Sequence, residues 1–467
     1  MKNSSEHFLH GFLHPESIAV VGASTNPLSV NHVLMTNLLG VGFKGRVYPV
    51  NPKAQEILGL KAYPNVKSIE DTVDLVVVSV PYTNTIGVLK DCIEKGIKRV
   101  VITAGGFSEA GEEGKRIQIE MANILKTNGI RAIGPNALSP INTSTNLAIG
   151  FHPIQGLKKG RLSLIFQSGL YEPRMNRMFS DLNLRLNKLI DLGNKMDINE
   201  VDALSYLAGD PETRVIGIHL ESIEGDGREF LRLIHEASKN KHVVVLKSGR
   251  TKSGAKVASS HTGVIVQGSD LVFDAALRQS GAIRANTIEE FFDLSIALER
   301  FGSLLMRGKR IALATFPGGE AVISTDLCQQ EGLSIAQVEE DTQRRLSTVF
   351  PPWEVLSNPL DLGICTQFHD IRKVLRIFIE SMIEDPNVDA MALEVIEIAV
   401  HHEVLKDFHL AVDAGKPIVM WVPEVRAGTS EALEWLEDQQ VPVFPSAPNV
   451  MKALSALYRS SKFKLRT

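Results

Sequence analysis

The chain alternates between short apolar runs rich in β-branched residues and longer segments in which apolar residues recur every three or four positions. The first kind of run predicts buried strands, and the second predicts helices. In the amino-terminal third, the predicted strands are 17–21, 45–50, 75–80, 99–103 and 130–133. Helical segments such as 33–39 and 83–95 fall between them. Strands separated by helices predict βαβ units, in which a parallel sheet is covered on both faces.

The same pattern starts again twice along the chain. A second series of predicted strands comprises 161–166, 214–220 and 242–246, and a third comprises 310–315, 391–395 and 417–422. Turn-forming residues are frequent at 142–160, and a further break lies near 305. We therefore predict an α/β protein with three doubly wound domains in tandem, at 1–150, 151–304 and 305–467.

The composition narrows the class of protein. The 467 residues are 44% hydrophobic and 22% charged, which is typical of a globular protein, and the length predicts about three domains. The net charge of −4 offers no basic surplus for nucleic acid or for an anionic membrane. The sequence shows no signal-type or membrane-spanning apolar run, and its three cysteines are widely separated. The wide separation of the cysteines excludes a disulfide scaffold and a cysteine-based metal site. Together with the missing signal-type run, it predicts a cytoplasmic protein.

A glycine-containing turn follows the first predicted strand and opens a helix. It contains Gly22, Ser24 and Pro27, but it lacks the full dinucleotide-binding glycine pattern. Such a turn directs backbone N–H groups and the positive end of a helix dipole towards a pyrophosphate. We therefore expect these residues to contact a phosphorylated cofactor.

The end of the second predicted strand argues against an ordinary NAD site. A NAD site usually has an acidic residue there, whereas this chain has Asn51 and Lys53. A lysine can pair with a phosphate on the ribose, so CoA and NADP both fit this position. Further candidate cofactor-binding residues lie at the ends of the next strands, which meet at the same sheet edge. They are Val80, Pro81, Ala104, Gly105 and Asn136.

Together these elements resemble the CoA-binding domain of ADP-forming acetyl-CoA synthetases and of the succinyl-CoA synthetase α chain. The resemblance covers nearly the whole chain, in the order of that family. It implies a Rossmann-like CoA-binding domain followed by two flavodoxin-like CoA-ligase domains. Its motifs include 21–24, 50–53, 102–106, 134–136, 191–197, 220–223, 247–250, 259–263, 318–319 and 358–361.

The resemblance implies a phosphoryl relay. His261, within the Ser-His-Thr-Gly element, would take a phosphoryl group from an acyl phosphate and carry it on a moving loop to a nucleotide site. A neutral imidazole is a suitable nucleophile near pH 7. Glu221, at a strand end, would accept a hydrogen bond from the other ring nitrogen. Two helix N-termini would bind the phosphate, one after Gln167, Ser168 and Gly169 and one after Gly318 and Gly319.

The chain departs from the family pattern at three places. The residues after Gly169 are Leu170-Tyr171-Glu172-Pro173, where the family commonly has small residues. The Glu172 carboxylate would repel phosphate, and Pro173 predicts a later helix start, with the proline in the first turn. The segment 263–268 is one residue longer than the family pattern, and Ala137 stands where a cysteine is common.

The resemblance also implies partners that this chain does not contain. The three predicted domains account for all 467 residues, which leaves no room for an ATP-grasp domain. We therefore expect a separate ATP-grasp β subunit that binds Mg-ADP or Mg-ATP, an α2β2 assembly, and a small carboxylic acid or acyl-CoA as substrate. A CoA-binding regulatory paralogue without phosphoryl transfer is the alternative. An NAD(P)-dependent dehydrogenase would explain only the first domain.

Overall fold

A computed structural model describes residues 4–167, 169–254, 256–257, 269–354 and 357–467, with only the backbone described at residue 170. Its contacts divide the chain into two compact units. The first consists of Met1–Phe179 and Arg185–Asn286, and the second of Ser180–Leu184 and Thr287–Thr467. None of the helices in these described ranges has the length and apolar character required to cross a membrane.

The first unit begins with a parallel five-stranded sheet. Its strands are β1 (Ser17–Val21), β2 (Arg46–Val50), β5 (Leu75–Val78), β6 (Arg99–Ile102) and β7 (Arg131–Ile133), and a small hairpin is formed by β3 (Glu56–Ile57) and β4 (Leu60–Lys61). The strand order is β2-β1-β5-β6-β7. The helices of this part are His10–Leu13, Val30–Gly40, Tyr82–Lys95 and Glu112–Thr127, with short 3₁₀ turns at Ser4–Glu6, Val66–Ser68 and Ser108–Ala110.

Both faces of this sheet are buried. Ile18 and Val20 belong to one apolar cluster, whereas Ala19 and Val21 belong to another. Because successive side chains of a strand point to opposite faces, this alternation requires apolar cover on both sides. The strand ends lie at one edge, since Val21 is level with Val50 and Val78.

The second sheet of this unit has seven strands in the order β14-β13-β12-β10-β11-β8-β9. They are β8 (Ile141–Asn142), β9 (Leu147–Ala148), β10 (Lys158–Phe166), β11 (Arg185–Asp191), β12 (Val215–Leu220), β13 (His242–Lys247) and β14 (Ile283–Ala285). Five strands run parallel, and β8 and β9 add an antiparallel edge. The associated helices are a 3₁₀ helix at Gly169–Arg174 and α-helices at Met175–Asp181, Glu200–Gly209, Gly227–Ser238 and Asp270–Gln279.

The second unit contains a six-stranded parallel sheet in the order β16-β15-β18-β19-β20, with β17 also pairing with β15. Its strands are β15 (Arg310–Thr315), β16 (Ser334–Ile335), β17 (Leu360–Asp361), β18 (Ala390–Glu394), β19 (Ile418–Trp421) and β20 (Val443–Phe444). Its α-helices are Ile288–Arg300, Gly318–Gln330, Glu340–Leu346, Ile371–Glu384, His402–Leu405, His409–Asp413, Glu431–Asp438 and Ala447–Lys464. Short 3₁₀ turns lie at Cys365–Gln367, Glu397–Ala399, Lys406–Phe408 and Ala427–Thr429.

Candidate functional site

The turn after β1 closes tightly against the end of β5. Gly22 has φ +94°, and a Cβ atom at this position would lie 2.1 Å from the carbonyl oxygen of Ser79. The Asn31 side chain donates to the carbonyl oxygens of Gly22 (2.8 Å) and Ser79 (2.9 Å), and it accepts from the Ser79 hydroxyl (2.6 Å). The turn and the first helical turn therefore form one hydrogen-bonded unit.

The end of β2 is attached to the same turn. The Asn51 side chain donates to the carbonyl oxygen of Ala23 (2.8 Å) and accepts from the backbone N–H of Lys53 (2.8 Å). Ser24 accepts from the backbone N–H of Asn26 (3.1 Å), while Pro27 and Lys53 are exposed. Asn51 is thus a structural anchor, and the Lys53 side chain is available to solvent.

The remaining predicted cofactor residues lie along the same edge. Val80 and the exposed Pro81 precede the helix Tyr82–Lys95, and Ala104 and the exposed Gly105 follow β6. Asn136 is exposed, has φ +59°, and donates its backbone N–H to the carbonyl oxygen of Ala104 (2.9 Å). The structure therefore brings the five strand ends of the first sheet to one edge.

A loop of the second sheet packs directly against this edge. Gly193 approaches so closely that a Cβ atom would lie 2.2 Å from the carbonyl oxygen of Pro135. Asn194 donates its backbone N–H to the same oxygen (2.9 Å), and its side chain donates to Glu109 (2.6 Å). Met196 donates to the carbonyl oxygen of Gly134 (3.1 Å). The loop that follows β11 therefore joins the two sheets of the first unit.

Gln167 fixes the segment that carries Glu221. Its side-chain oxygen accepts from the backbone N–H groups of Glu221 (2.9 Å) and Ser222 (3.0 Å), and its side-chain nitrogen donates to the Ser222 hydroxyl (3.0 Å). Glu221 is only 9% exposed. The sequence predicted Gln167 as a phosphate ligand, and the structure places its carboxamide against the Glu221 segment instead of leaving it open to solvent.

The segment after Gln167 differs from a regular helix start. Gly169–Arg174 is a 3₁₀ helix, and the α-helix begins at Met175. The later start was expected, but Pro173 lies in the 3₁₀ segment and not in the first α-helical turn. Ser168 lies outside the described residues.

Glu172 is engaged by a neighbouring segment. Its carboxylate accepts from the backbone N–H of His152 (2.6 Å) and contacts the ring Nδ1 of that histidine. Its side chain is 8% exposed. The negative charge that the sequence analysis identified as unfavourable for phosphate is therefore directed towards His152.

Two buried ionisable groups flank this region. Asp191 accepts from the backbone N–H groups of Leu138 (2.8 Å) and Gly193 (3.2 Å), and burial raises its pKa to about 6. His219, on β12, pairs through Nε2 with the Ser248 hydroxyl (2.7 Å), and burial lowers its pKa to about 4. Asp191 belongs to the family motif 191–197 but was given no role by it, and His219 was not singled out, because a single Asp or His gives no sign of its surroundings in the sequence.

In the second unit, Gly318 and Gly319 begin the helix Gly318–Gln330 directly after β15. A Cβ atom on Gly318 would lie 2.9 Å from an Asp361 carboxylate oxygen, whereas one on Gly319 would meet nothing within 4 Å in the described chain. Glu394, at the end of β18, accepts from the backbone N–H of Phe316 (3.3 Å). Burial, with the nearby charges of Glu320 and Asp361, raises the pKa of Glu394 to about 7. The glycine pair thus lies close to carboxyl groups, and this proximity was not predicted from the sequence.

The predicted phosphate carrier belongs to a part of the chain that the structure does not describe. His261 and its neighbours Ser259, Ser260, Thr262 and Gly263 lie outside the described residues, as does the segment 263–268. The assignment of His261 therefore remains a prediction from sequence.

Comparison with known proteins gives consistent matches. Residues 16–141 match the model of a CoA binding domain, and residues 159–298 match that of a succinyl-CoA ligase like flavodoxin domain. These matches and the parallel sheets confirm the predicted α/β fold class. They also favour CoA over NADP at the first sheet.

Relatives match over almost the whole chain. The subunit alpha of acetate–CoA ligase [ADP-forming] II from Pyrococcus furiosus is 35% identical over 460 residues, which cover 97% of each chain. Acetate–CoA ligase [ADP-forming] II from Archaeoglobus fulgidus is 33% identical, and the match covers 98% of this chain and 68% of that one. A solved structure of dinucleotide forming acetyl-coenzyme A synthetase 1 from Ca. Korarchaeum cryptofilum, with phosphate and ADP, gives a TM-score of 0.87 at 32% identity, with 98% of each chain covered.

Proposed function

The chain belongs to the ADP-forming acetate–CoA ligase family, and from this premise we propose that it is the α subunit that binds CoA and carries the phosphoryl group on His261. The overall reaction interconverts acyl-CoA, ADP and phosphate with a carboxylic acid, CoA and ATP. The observation that carries this proposal is the buried Glu221, fixed by Gln167 at the edge of the sheet that matches the succinyl-CoA ligase like domain.

CoA binds along the edge of the first sheet. Backbone N–H groups of the Gly22 turn donate hydrogen bonds to the pyrophosphate, and the N-terminus of the following helix favours its negative charge. The exposed ammonium group of Lys53 pairs with a ribose phosphate. The strand ends at Val80, Pro81, Ala104, Gly105 and Asn136 line the rest of the path, with Ser24, Pro27 and Asn51 shaping the turn.

The chemistry proceeds in two transfers before the nucleotide takes part. A phosphate oxygen attacks the thioester carbonyl, the carbon–sulfur bond breaks, and CoA leaves as a thiolate that takes up a proton. A ring nitrogen of His261 then attacks phosphorus, the bond to the acyl oxygen breaks, and the carboxylate leaves. Glu221 accepts a hydrogen bond from the other ring nitrogen and stabilises the positive charge on the phosphorylated ring. Gln167, Ser168, Gly169, Gly318 and Gly319 remain the candidates for phosphate binding.

We propose that the last transfer takes place on a second chain. The relative from Pyrococcus furiosus is described as a subunit alpha and is matched over 97% of both chains, whereas the match covers 68% of the Archaeoglobus fulgidus relative. We therefore propose an ATP-grasp β subunit that binds Mg-ADP, in an α2β2 assembly, with a small carboxylic acid as the second product. A cytoplasmic location agrees with the three free, buried cysteines, Cys92, Cys328 and Cys365.

The proposal is tested by labelling the chain with phosphate. The purified protein is mixed with its candidate ATP-grasp partner, Mg²⁺ and γ-labelled ATP, and wild type is compared with His261→Asn and His235→Asn. The second variant is the matched control, because His235 lies on the helix Gly227–Ser238 and outside the sequence motif 259–263. We expect acid-labile, alkali-stable label on wild type and on His235→Asn, and none on His261→Asn. Unlabelled wild type that still binds CoA would instead identify a regulatory paralogue.

A further inference from the structure

A buried cation lies next to the segment that carries Glu221. Lys195 follows β11, its side chain is fully buried, and its backbone has φ +53°. The ammonium group lies within hydrogen-bonding distance of the side-chain oxygen of Gln167 (3.1 Å) and of the Ser222 carbonyl (2.9 Å) and hydroxyl (3.1 Å). A left-handed backbone at a lysine is uncommon and is kept only where the surroundings determine it.

Glu200 provides the counter-charge, and it also binds the same segment. One carboxylate oxygen lies 3.0 Å from the Lys195 ammonium, and the other accepts the backbone N–H groups of Glu224 (2.9 Å) and Gly225 (2.8 Å). The side chain of Glu200 is also fully buried. The segment from Glu221 to Gly225 is therefore held at its start by Gln167, in its middle by Lys195, and at its end by Glu200.

Lys195 and the Glu221 segment share one hydrogen-bond acceptor, which is the side-chain oxygen of Gln167. This oxygen accepts hydrogen bonds from the Lys195 ammonium and from the backbone N–H groups of Glu221 and Ser222. Lys195 thus orients the acceptor that in turn orients Glu221. The loop that carries Lys195 also contacts the first sheet through Asn194 and Pro135, so one loop contacts both the CoA edge and the Glu221 segment.

We propose that Lys195 is a positioning residue for phosphoryl transfer, which holds Glu221 in place through Gln167 and Ser222. This inference rests on the proposed function, since it requires Glu221 to act on His261. Lys195 does not contact the reacting groups in this scheme. Its removal leaves CoA binding intact and slows the step in which His261 takes or gives its phosphoryl group.

The chain provides a matched control for a buried lysine. Lys188, on β11, is also almost fully buried, and its ammonium lies 2.9 Å from Asp210 and 3.2 Å from Glu212. Neither partner belongs to the Glu221 segment. Lys188→Met therefore removes a comparable buried ion pair without altering the support of Glu221.

The test uses the complete assembly with labelled ATP and compares wild type, Lys195→Met, the double variant K195M/E200Q and Lys188→Met. The measured quantities are the single-turnover rate constant of phosphorylation, the ATP concentration at half-maximal rate, and CoA affinity by calorimetry. We expect both Lys195 variants to lose about 100-fold in the rate constant, the order of magnitude for a small misplacement of a catalytic group. CoA affinity and the half-maximal ATP concentration remain at their wild-type values. Lys188→Met, per folded molecule, reacts at the wild-type rate.

The double variant distinguishes a role of Lys195 in positioning Glu221 from a role in neutralising the charge of Glu200. K195M/E200Q removes both buried charges, so it folds even where the single variant is destabilised by an unpaired Glu200. Wild-type rates in the double variant would overturn the proposal, because Lys195 would then serve only to neutralise Glu200. An equal loss in Lys188→Met would also overturn it. Absence of label on wild type would be a different result, since it would reject the proposed function itself.

Discussion

Position 22 shows how the absence of a side chain can determine the conformation of a turn. Gly22 combines a positive φ with a close approach to Ser79, so any other residue meets both backbone strain and a collision. We expect Gly22→Ala to lower the free energy of unfolding by about 2 kcal/mol or more, and to weaken CoA binding. Urea denaturation and calorimetry with CoA measure the two effects.

Gly59→Ala is the control for that variant. Gly59 has φ +78°, but a Cβ atom there meets nothing within 4 Å in the described residues. It therefore shows the backbone strain without the collision, and we expect a smaller loss of stability with unchanged CoA affinity. Equal losses in both variants would contradict the role of the Ser79 contact.

His219 makes stability depend on pH. Its folded pKa of about 4 lies below the ordinary value of 6.5, because burial disfavours the charged ring. The folded state therefore binds fewer protons than the unfolded state between these values. The stability that the neutral ring contributes is complete above pH 6.5 and decreases as the pH falls towards 4. Between pH 7 and pH 5 the unfolding free energy of wild type should therefore fall. We expect this fall to be smaller in His219→Gln than in wild type, by about 2 kcal/mol.

The measurement is urea denaturation at both pH values, with the change in unfolding free energy compared between wild type and variant. His235→Gln serves as the control, since His235 lies on the helix Gly227–Ser238 and is only partly buried. The same pH dependence in His219→Gln and wild type would show that the buried ring does not contribute.

At the scale of elements, Asn31 joins a strand end, a turn and a helix. Its side chain makes three hydrogen bonds, with Gly22 and Ser79, at the start of the helix Val30–Gly40. We expect Asn31→Leu to cost about 2 kcal/mol of unfolding free energy, because the partly buried carbonyl groups of Gly22 and Ser79 lose their hydrogen bonds. It also weakens CoA binding, since the Gly22 turn loses its support.

Asn37 is the matched residue on the same helix. Its side chain donates to the carbonyl oxygens of Gly150 (3.0 Å) and His152 (2.8 Å), away from the Gly22 turn. Asn37→Leu should therefore destabilise the protein similarly and leave CoA affinity unchanged, as calorimetry would show. Loss of CoA affinity in both variants would mean that general destabilisation, and not the turn, is responsible.

The predicted strands of the first sheet agree with the observed ones to within two residues at each end, because their apolar runs are uninterrupted. β11 was not predicted, since Asn187 and Lys188 interrupt its apolar pattern. Both are nevertheless buried, because Asp210 accepts hydrogen bonds from their side chains. A strand whose polar residues find buried partners elsewhere cannot be recognised from hydrophobic periodicity alone.

The sequence predicted one part of the candidate site and missed contacts that separate loops make through their side chains. The strand-end turns of the first sheet follow from βαβ topology, so Gly22, Asn51 and Asn136 could be placed together. The support of Glu221 by Gln167 and Lys195 could not, since it joins separate loops through side chains. Motif resemblance identified these residues without indicating that they contact each other.

At the scale of the whole molecule, the second unit has its own buried ion pair. The Arg300 guanidinium lies 3.2 Å from a Glu437 carboxylate oxygen and donates to the carbonyl oxygen of Asn183 (2.6 Å). Both charged side chains are 2% exposed. We expect Arg300→Met to lower the unfolding free energy of this unit by about 4 kcal/mol, because it removes the buried positive charge that faces the Glu437 carboxylate.

Hydrogen exchange measured by mass spectrometry tests this prediction unit by unit. Peptides from Thr287–Thr467 should lose protection, whereas peptides around the Gly22 turn should not change. R300M/E437Q, which removes both charges, should recover most of the protection. Equal loss of protection in both units would show that they unfold as a single cooperative body.

The short segment Ser180–Leu184 gives the chain an unusual order of assembly during synthesis. By its contacts it belongs to the second unit, where Asn183 donates to Glu437, a residue 254 positions later. On the ribosome, the first unit has all of its own residues once Asn286 has been added. The five residues of this segment can contact Glu437 only after most of the remaining chain has been synthesised. A nascent or truncated chain that ends near Asn286 would therefore present Ser180–Leu184 without these partners, as a site for proteases and chaperones.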